Sequence, residues 1–306
     1  MIGGRFPKMC RTDDNRTGSE VQSPHAIPPG ASAADRRWTP PAGALGALVE
    51  TSRGRAAAVL AEWPALRARA GDQPPPPAFA AALRRSTVAV IAEIKRSSPS
   101  KGALAPDLAA GHRARAYEAG GAAALSVLTE PSRFGGSLAD LADVAAAVSI
   151  PVLRKDFVVH PVQLWEARAH GAAAVLLIAR ALPPASLAAL HAEAAEAGLE
   201  VLVEVRDGTE LARAIAIGAT VIGINNRDLE SLVIEPATAP ALLPAIPAGC
   251  IAVAESGFSQ PADAGDAIEA GADALLVGSA LSLAADPIAT VAAFARLLRR
   301  AAPRTA

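Results

Sequence analysis

The stretch Val88–Gly102, VAVIAEIKRSSPSKG, decides the fold. Its first half is apolar and rich in β-branched residues, as expected of a strand buried on both faces in a parallel sheet. The run ends in a carboxylate and an ammonium, Glu93 and Lys95, two residues apart, so on a strand both side chains leave the same face. A Ser/Pro/Gly loop, RSSPSKG, follows at once. Charge at the end of such a strand is costly to bury without partners. The C-terminal end of this strand is therefore expected to open on an active-site rim.

Outward from this strand the same plan recurs. Further apolar runs lie near 122–129, 151–157, 172–179, 200–205, 221–226, 251–256 and 274–279, most of them preceded by a glycine turn (Gly120-Gly121, Gly171, Gly198, Gly218, Gly249, Gly271). Ala-rich segments with helical period separate them, such as Leu182–Ala197 and Pro261–Ala270. The unit repeats roughly every 20–35 residues, the length of a βα unit. Eight units in about 200 residues match a closed (β/α)8 barrel of the α/β class. An open doubly wound sheet is the rival; it more often carries G-x-G-x-x-G after its first strand, and none stands here.

Before the barrel, residues 1–43 are rich in Pro, Gly, Ser, Arg and Asp without apolar period and are expected to form a disordered extension. Such a tail is expected to be dispensable, which deletion of residues 1–40 would test. A helical segment follows from about Leu45 to Arg69, then the rigid spacer Pro74–Pro77. Residues 44–303 are thus expected to form one barrel domain that includes an extra N-terminal helix. A net charge of −1 without basic patches gives no footprint for nucleic acid. Cys10 and Cys250 make neither a disulfide framework nor a metal site. No apolar run of about 18 residues and no signal-peptide core occur, so the cytoplasm is expected and a membrane is not. Surface composition leaves monomer and homodimer both open.

In barrels of this kind catalytic groups sit at the C-terminal ends of strands. Those ends carry Glu93 and Lys95, Thr129 and Glu130, Lys155 and Asp156, Glu204, Asn225 and Arg227, Glu255 and Ser256, and Gly278 and Ser279, whereas the fourth ends blandly at Ile178–Arg180. Polar groups from seven of eight strands are expected at one mouth. A lone strand-end charge is more often a solvated rim group, but independent ones would not fall so regularly at one end. Asp156 and Glu255 can equally be ion-paired or capping residues and are kept out of the catalytic set. Glu130 and Arg133, in TEPSRFGG, can simply solvate their loop. Ser256-Gly257 and Gly278-Ser279, at the last two strands, have the makings of a phosphate cradle. None of the five histidines has metal-ligand spacing, so no metal is expected. Acid–base work then falls to Lys and Glu, with burial and crowding expected to move Lys155 down and Glu204 up in pKa.

These motifs resemble the indole-3-glycerol-phosphate synthase family of tryptophan biosynthesis over about residues 45–300. The resemblance is carried by IAEIKRSSPSKG (Ile91–Gly102), SVLTEPSRFGGS (Ser126–Ser137), PVLRKDF (Pro151–Phe157), LVEV (Leu202–Val205), IGINNRDL (Ile222–Leu229), VAESGF (Val253–Phe258) and ALLVGSAL (Ala274–Leu281). It implies cyclisation of 1-(2-carboxyphenylamino)-1-deoxyribulose 5-phosphate with loss of CO2 and water, without cofactor or metal. It also implies roles: Lys155 as general acid, Glu204 as base or relay, and Lys95 as a contact to the substrate anion that assists acid catalysis. Glu93 and Asn225 would position these groups, and Ser98 and Arg227 would orient substrate. Ser256, Gly257, Gly278 and Ser279 would hold the phosphate. Phe134, Phe157, Leu229 and Leu232 can wall in the anthranilate ring or serve only in packing. Two alternatives stand beside this one: another phosphate-dependent barrel synthase, and a catalytically silent paralogue that binds a phosphate ligand.

Overall fold

The apolar runs become eight parallel strands that close into a barrel. They are β1 (Ala89–Ile94), β2 (Ala124–Leu128), β3 (Val152–Lys155), β4 (Ala174–Ile178), β5 (Glu200–Val205), β6 (Val221–Asn225), β7 (Ile251–Glu255) and β8 (Ala274–Val277). The computed structural model describes residues 38–98, 102–105, 108–300 and 304. Each strand pairs with its neighbours in sequence, and closure comes from β1 pairing with β8 (Ala89↔Ala274 to Ala92↔Val277) on one side and with β2 on the other. Every residue of β1 is buried, Glu93 included, as expected of a strand covered on both faces. Helices intervene between strands, among them Pro184–Glu196 where helical period stood out over Leu182–Ala197. At Pro261–Ala270 the structure is a 3-10 turn, Pro261–Ala264, running into a short α-helix, Gly265–Glu269. Gly171 (φ 84°) and Gly271 (φ 100°) turn helix into strand in the left-handed region that glycine reaches without steric cost.

The N-terminal segment is two helices rather than one. Helix α1 (Gly43–Ala58) and helix α2 (Trp63–Gly71) are joined by a 3-10 turn at Leu60–Glu62. Pro64 explains the break: it has no N–H to donate, and its ring opposes the carbonyl four residues back, so it sits in the first turn of α2. Helix α1 buries Leu45, Leu48, Val49, Ser52 and Ala56, and α2 packs on the helix Val162–Ala169. The proline spacer is held by Arg168, which donates to the carbonyls of Gln73 (3.0 Å) and Pro74 (2.6 Å). At the same end of the barrel, where the strands begin, a short helix, Phe79–Leu83, is capped by Glu200 at the start of β5, which accepts from the amides of Phe79 and Ala80. Of the expected extension, residues 1–37 lie outside the described residues, as do Pro99–Lys101 of the loop after β1. Trp38 and Thr39 are described: the Trp38 indole donates to the Arg180 carbonyl and Arg180 donates to the Thr39 carbonyl.

Candidate active site

The C-terminal strand ends open on a cavity of about 950 Å3, including its open mouth, whose polar lining comes chiefly from Glu93, Lys95, Lys155, Asn225, Arg227 and Glu255. The pleat places Glu93 and Lys95 together as expected, with Lys95 Nζ donating to Glu93 Oε1 at 2.6 Å. Gly278 at the end of β8 makes this pair possible, because a Cβ there would collide with Glu93 Oε1 and Lys95 Nζ. Burial alone would raise the Glu93 pKa, but Lys95, Lys155 and Arg227 outweigh it and hold the carboxyl below its ordinary value.

Lys155 projects from β3 toward two further carboxylates, 3.4 Å from Glu204 Oε2 and 3.8 Å from Glu255 Oε2. Its pKa is raised rather than lowered. Burial opposes the charge, yet Glu204, Glu255 and Glu93 together outweigh it. The ammonium therefore stays charged at neutral pH. The compensating strain falls on Glu255, which burial and the neighbouring Glu204 push well above the ordinary carboxyl range despite Lys155. Among the described residues Glu255 Oε1 has no hydrogen-bond partner, and it fills the space that a side chain on Gly223 of β6 would take. Glu204 borders a second cavity of about 550 Å3, which shares Ile178, Asn225, Arg227 and Leu229 with the first. Glu204 and Lys155 thus meet at the wall between the two spaces.

One flank of the main cavity is formed by Ser256, Gly257, Gly278 and Ser279. Ser256 (φ 66°) and Gly257 (φ 95°) are both left-handed, and the Asn226 side-chain amide donates to the Ser256 carbonyl at 3.0 Å, which pins the turn. The opposite flank is apolar. Phe134 and Phe157 lie with ring centroids 6.3 Å apart beside Leu229, and an adjoining space of about 480 Å3 adds Leu48, Leu232 and Ser98. Arg227 is held by its own surroundings: its amide donates to Asn225 Oδ1 at 2.9 Å and its guanidinium to the Leu232 carbonyl at 2.9 Å.

Two expectations fail at the second strand. Thr129 and Glu130 do not face the mouth, so the convergence of seven strands is overstated. Thr129 points outward, where its hydroxyl donates to Asp156 Oδ2 at 2.7 Å and accepts from Arg154. Glu130 does not solvate its loop; it is fully buried and caps the short helix Pro131–Phe134 by accepting from the amides of Ser132, Arg133 and Phe134. The first result follows from strand alternation, which sends Asp156 and Thr129 away from the barrel axis while Lys155 enters it; the second follows from Glu130 standing past the end of β2 at the N-cap of that helix, whose free amides it satisfies. Asp156 is accordingly an ion-paired residue, bound by Arg55 and Arg154.

Comparison with known proteins sharpens what this cavity is. The profile of the family described as "Indole-3-glycerol phosphate synthase" matches residues 47–294. The chain belongs to that family. It is 53% identical over 222 residues to "Indole-3-glycerol phosphate synthase 1" of Streptomyces coelicolor, covering 72% of this chain and 82% of that protein. It is 53% identical to "Indole-3-glycerol phosphate synthase" of Beutenbergia cavernae over 68% of this chain and 77% of that one. Among solved structures, "Thiamine phosphate pyrophosphorylase from Pyrococcus furiosus" superposes with a TM-score of 0.51 at 17% identity, over 69% of this chain and 95% of that chain, a likeness of fold alone.

Within this family member, sequence reasoning left out of the site, among others, Glu255, Leu48, Phe258 and Ser259. Glu255 stands at a strand end, where a carboxylate has an ordinary structural use that keeps it out of the catalytic set on sequence alone. The signal that could have found it is Gly223, the small residue in β6 that frees the barrel interior beside it. Leu48 carried no signal of its own, being one apolar residue on a helix whose docking position the sequence does not reveal. Among the described residues no cluster of His, Cys, Asp and Glu could hold a metal ion, and no helix is long and apolar enough to cross a membrane.

Proposed function

We infer that this mouth cyclises 1-(2-carboxyphenylamino)-1-deoxyribulose 5-phosphate to indole-3-glycerol phosphate, with loss of CO2 and water. The chain is a carboxy-lyase of tryptophan biosynthesis, acting on a small phosphorylated substrate. The observation that carries the reading is the Lys155 ammonium, lodged between Glu204 and Glu255 in a cavity with one apolar and one Gly/Ser flank. We assign the phosphate to Ser256, Gly257, Gly278 and Ser279, where left-handed backbone and small residues free N–H groups for an anion. The anthranilate ring then lies against Phe134, Phe157, Leu229 and Leu232, with Ser98 and Arg227 orienting the substrate between the two ends.

Ring closure needs an aromatic carbon to attack the ketone, and charge develops on the carbonyl oxygen. A buried ammonium that stays protonated at neutral pH is suited to stabilise that oxygen and deliver its proton. Loss of CO2 leaves a hydroxyl that must depart as water. This second step needs another donor and a base, for which Lys95, paired with Glu93, and Glu204 are the groups at hand. Asn225 positions Arg227 through its side-chain oxygen. A silent paralogue gains no support, since each of these acid–base groups is retained. The reaction calls for no membrane or nucleic acid, and we place it in the cytoplasm. Purified protein incubated with the carboxyphenylamino substrate should generate indole fluorescence; no signal above buffer would overturn the assignment.

A further inference from the structure

Beneath the mouth lies a buried ionic network that the chemistry above does not use. Asp156 stands between Lys155 and Phe157, and its carboxylate accepts five hydrogen bonds. Oδ2 accepts from Thr129 at 2.7 Å, Arg154 at 3.0 Å and Arg55 Nη1 at 2.9 Å. Oδ1 accepts from Arg55 Nη2 at 2.7 Å and the Phe157 amide at 2.8 Å. Arg154 is only 1% exposed and also binds Glu166 (3.0 Å) and the Gln163 carbonyl (2.7 Å) in the following helix. One turn before Arg55 on α1, Ser52 donates to the Phe157 carbonyl and accepts from Gln163 Nε2 at 2.9 Å. Helix α1 therefore grips the chain at the two residues that follow Lys155, while its Leu48 enters the apolar wall.

A hydrophobic contact would have been enough to keep the helix on the barrel. A bidentate guanidinium–carboxylate fork does something else: it fixes distance and orientation. We propose that Arg55 and Ser52 are positioning residues for the reaction, which hold Asp156 and Phe157 so that the Lys155 ammonium and the Phe157 ring face the substrate in register. The inference rests on the function assigned above. Arg55 is the point to break, because its side chain is 27% exposed and its loss leaves Arg154 on Asp156.

In the full chain, Arg55→Met is expected to lower kcat by ~30-fold while KM moves by less than about threefold, since a small misplacement of reacting groups is felt in turnover before binding. Arg55→Lys should recover part of the loss, because a lysine restores charge but not the fork. Guanidinium ion at millimolar concentration should raise the turnover of Arg55→Ala and leave the unmodified protein unchanged. Ser52→Ala should show the same kcat-against-KM split in weaker form. Hydrogen exchange in Arg55→Met should quicken in the segment 155–160 and not across the barrel. A kcat within about twofold of the unmodified protein overturns the proposal. So does loss of activity accompanied by faster exchange throughout the barrel and no recovery with lysine or guanidinium. If the unmodified protein itself lacks turnover, the assigned function falls, and the exchange pattern alone then decides the coupling: an unchanged 155–160 segment refutes it.

Discussion

Lys155 shows how far a single residue's chemistry is set by its neighbours. Burial should have weakened its hold on a proton, yet three carboxylates hold the ammonium above its ordinary pKa. Lys155→Ala is expected to lower kcat by about 100- to 10,000-fold with a far smaller change in KM, as for loss of a general acid. Single-turnover fluorescence separates this from a binding defect; a rise in KM at constant kcat would refute the role. Glu210 makes a prediction of a different kind. It lies in the helix Gly208–Ala216, is 6% exposed, and accepts from the Arg206 amide while Asp207 accepts from its own. Burial, then the Asp207 charge, raise its carboxyl from 4.5 to about 7. The folded chain thus keeps a proton that the unfolded chain has released. The stability this contributes is complete below the ordinary value and is lost as pH rises through about 7. Unfolding free energy should therefore fall between pH 5 and pH 8 by an amount on the order of 3 kcal/mol from this group. Glu210→Gln, which keeps an acceptor for Arg206, should flatten that fall in denaturant titrations.

At the scale of elements, glycine positions show which strand ends must approach closely. Gly278 has an ordinary φ of −118°, so only space forbids a side chain there. Gly278→Ala should displace the Glu93–Lys95 pair and lower kcat/KM by roughly 10- to 100-fold, with little change in Tm. Gly208 has nothing within 4 Å of a built Cβ and no left-handed backbone. Gly208→Ala should therefore leave kcat/KM unchanged and raise stability by about 0.5 kcal/mol, through the unfolded chain. Steady-state kinetics and thermal melts on the two variants separate an active-site clearance from a general effect of alanine. β1 itself was legible because the apolar run Val88–Ala92 precedes Glu93 and Lys95 at its end. The N-terminal helices were less so: the apolar spacing was visible, but the break at Pro64 was masked by helical period on both sides of it.

For the whole molecule, the mouth is completed by chain that precedes the barrel. Deleting residues 1–37 should leave kcat/KM within about twofold, because the deletion stops short of the described contacts of Trp38 and Thr39 with Arg180. Deletion through Ala58 should abolish turnover, since it removes Leu48, Ser52 and Arg55 together. Kinetics paired with circular dichroism on the two truncations check this; an active shorter form would mean that α1 is not part of the site.

By itself the sequence determined the barrel and the identity of its acid–base groups. Strand and helix periods are local, glycines punctuate them, and a barrel of βα units brings every strand's C-terminal end to one mouth. Tertiary structure alone decided which of those groups act on one another. Lys155 and Glu204 are 49 residues apart in sequence, and Arg55 and Asp156 are 101 apart. Charge interactions depend on distance through space and on burial, neither of which a linear pattern records. That is why Lys155 was expected to lose its proton more readily and instead holds it more tightly. It is also why Glu130, legible only as a loop charge, proved to be a buried helix cap.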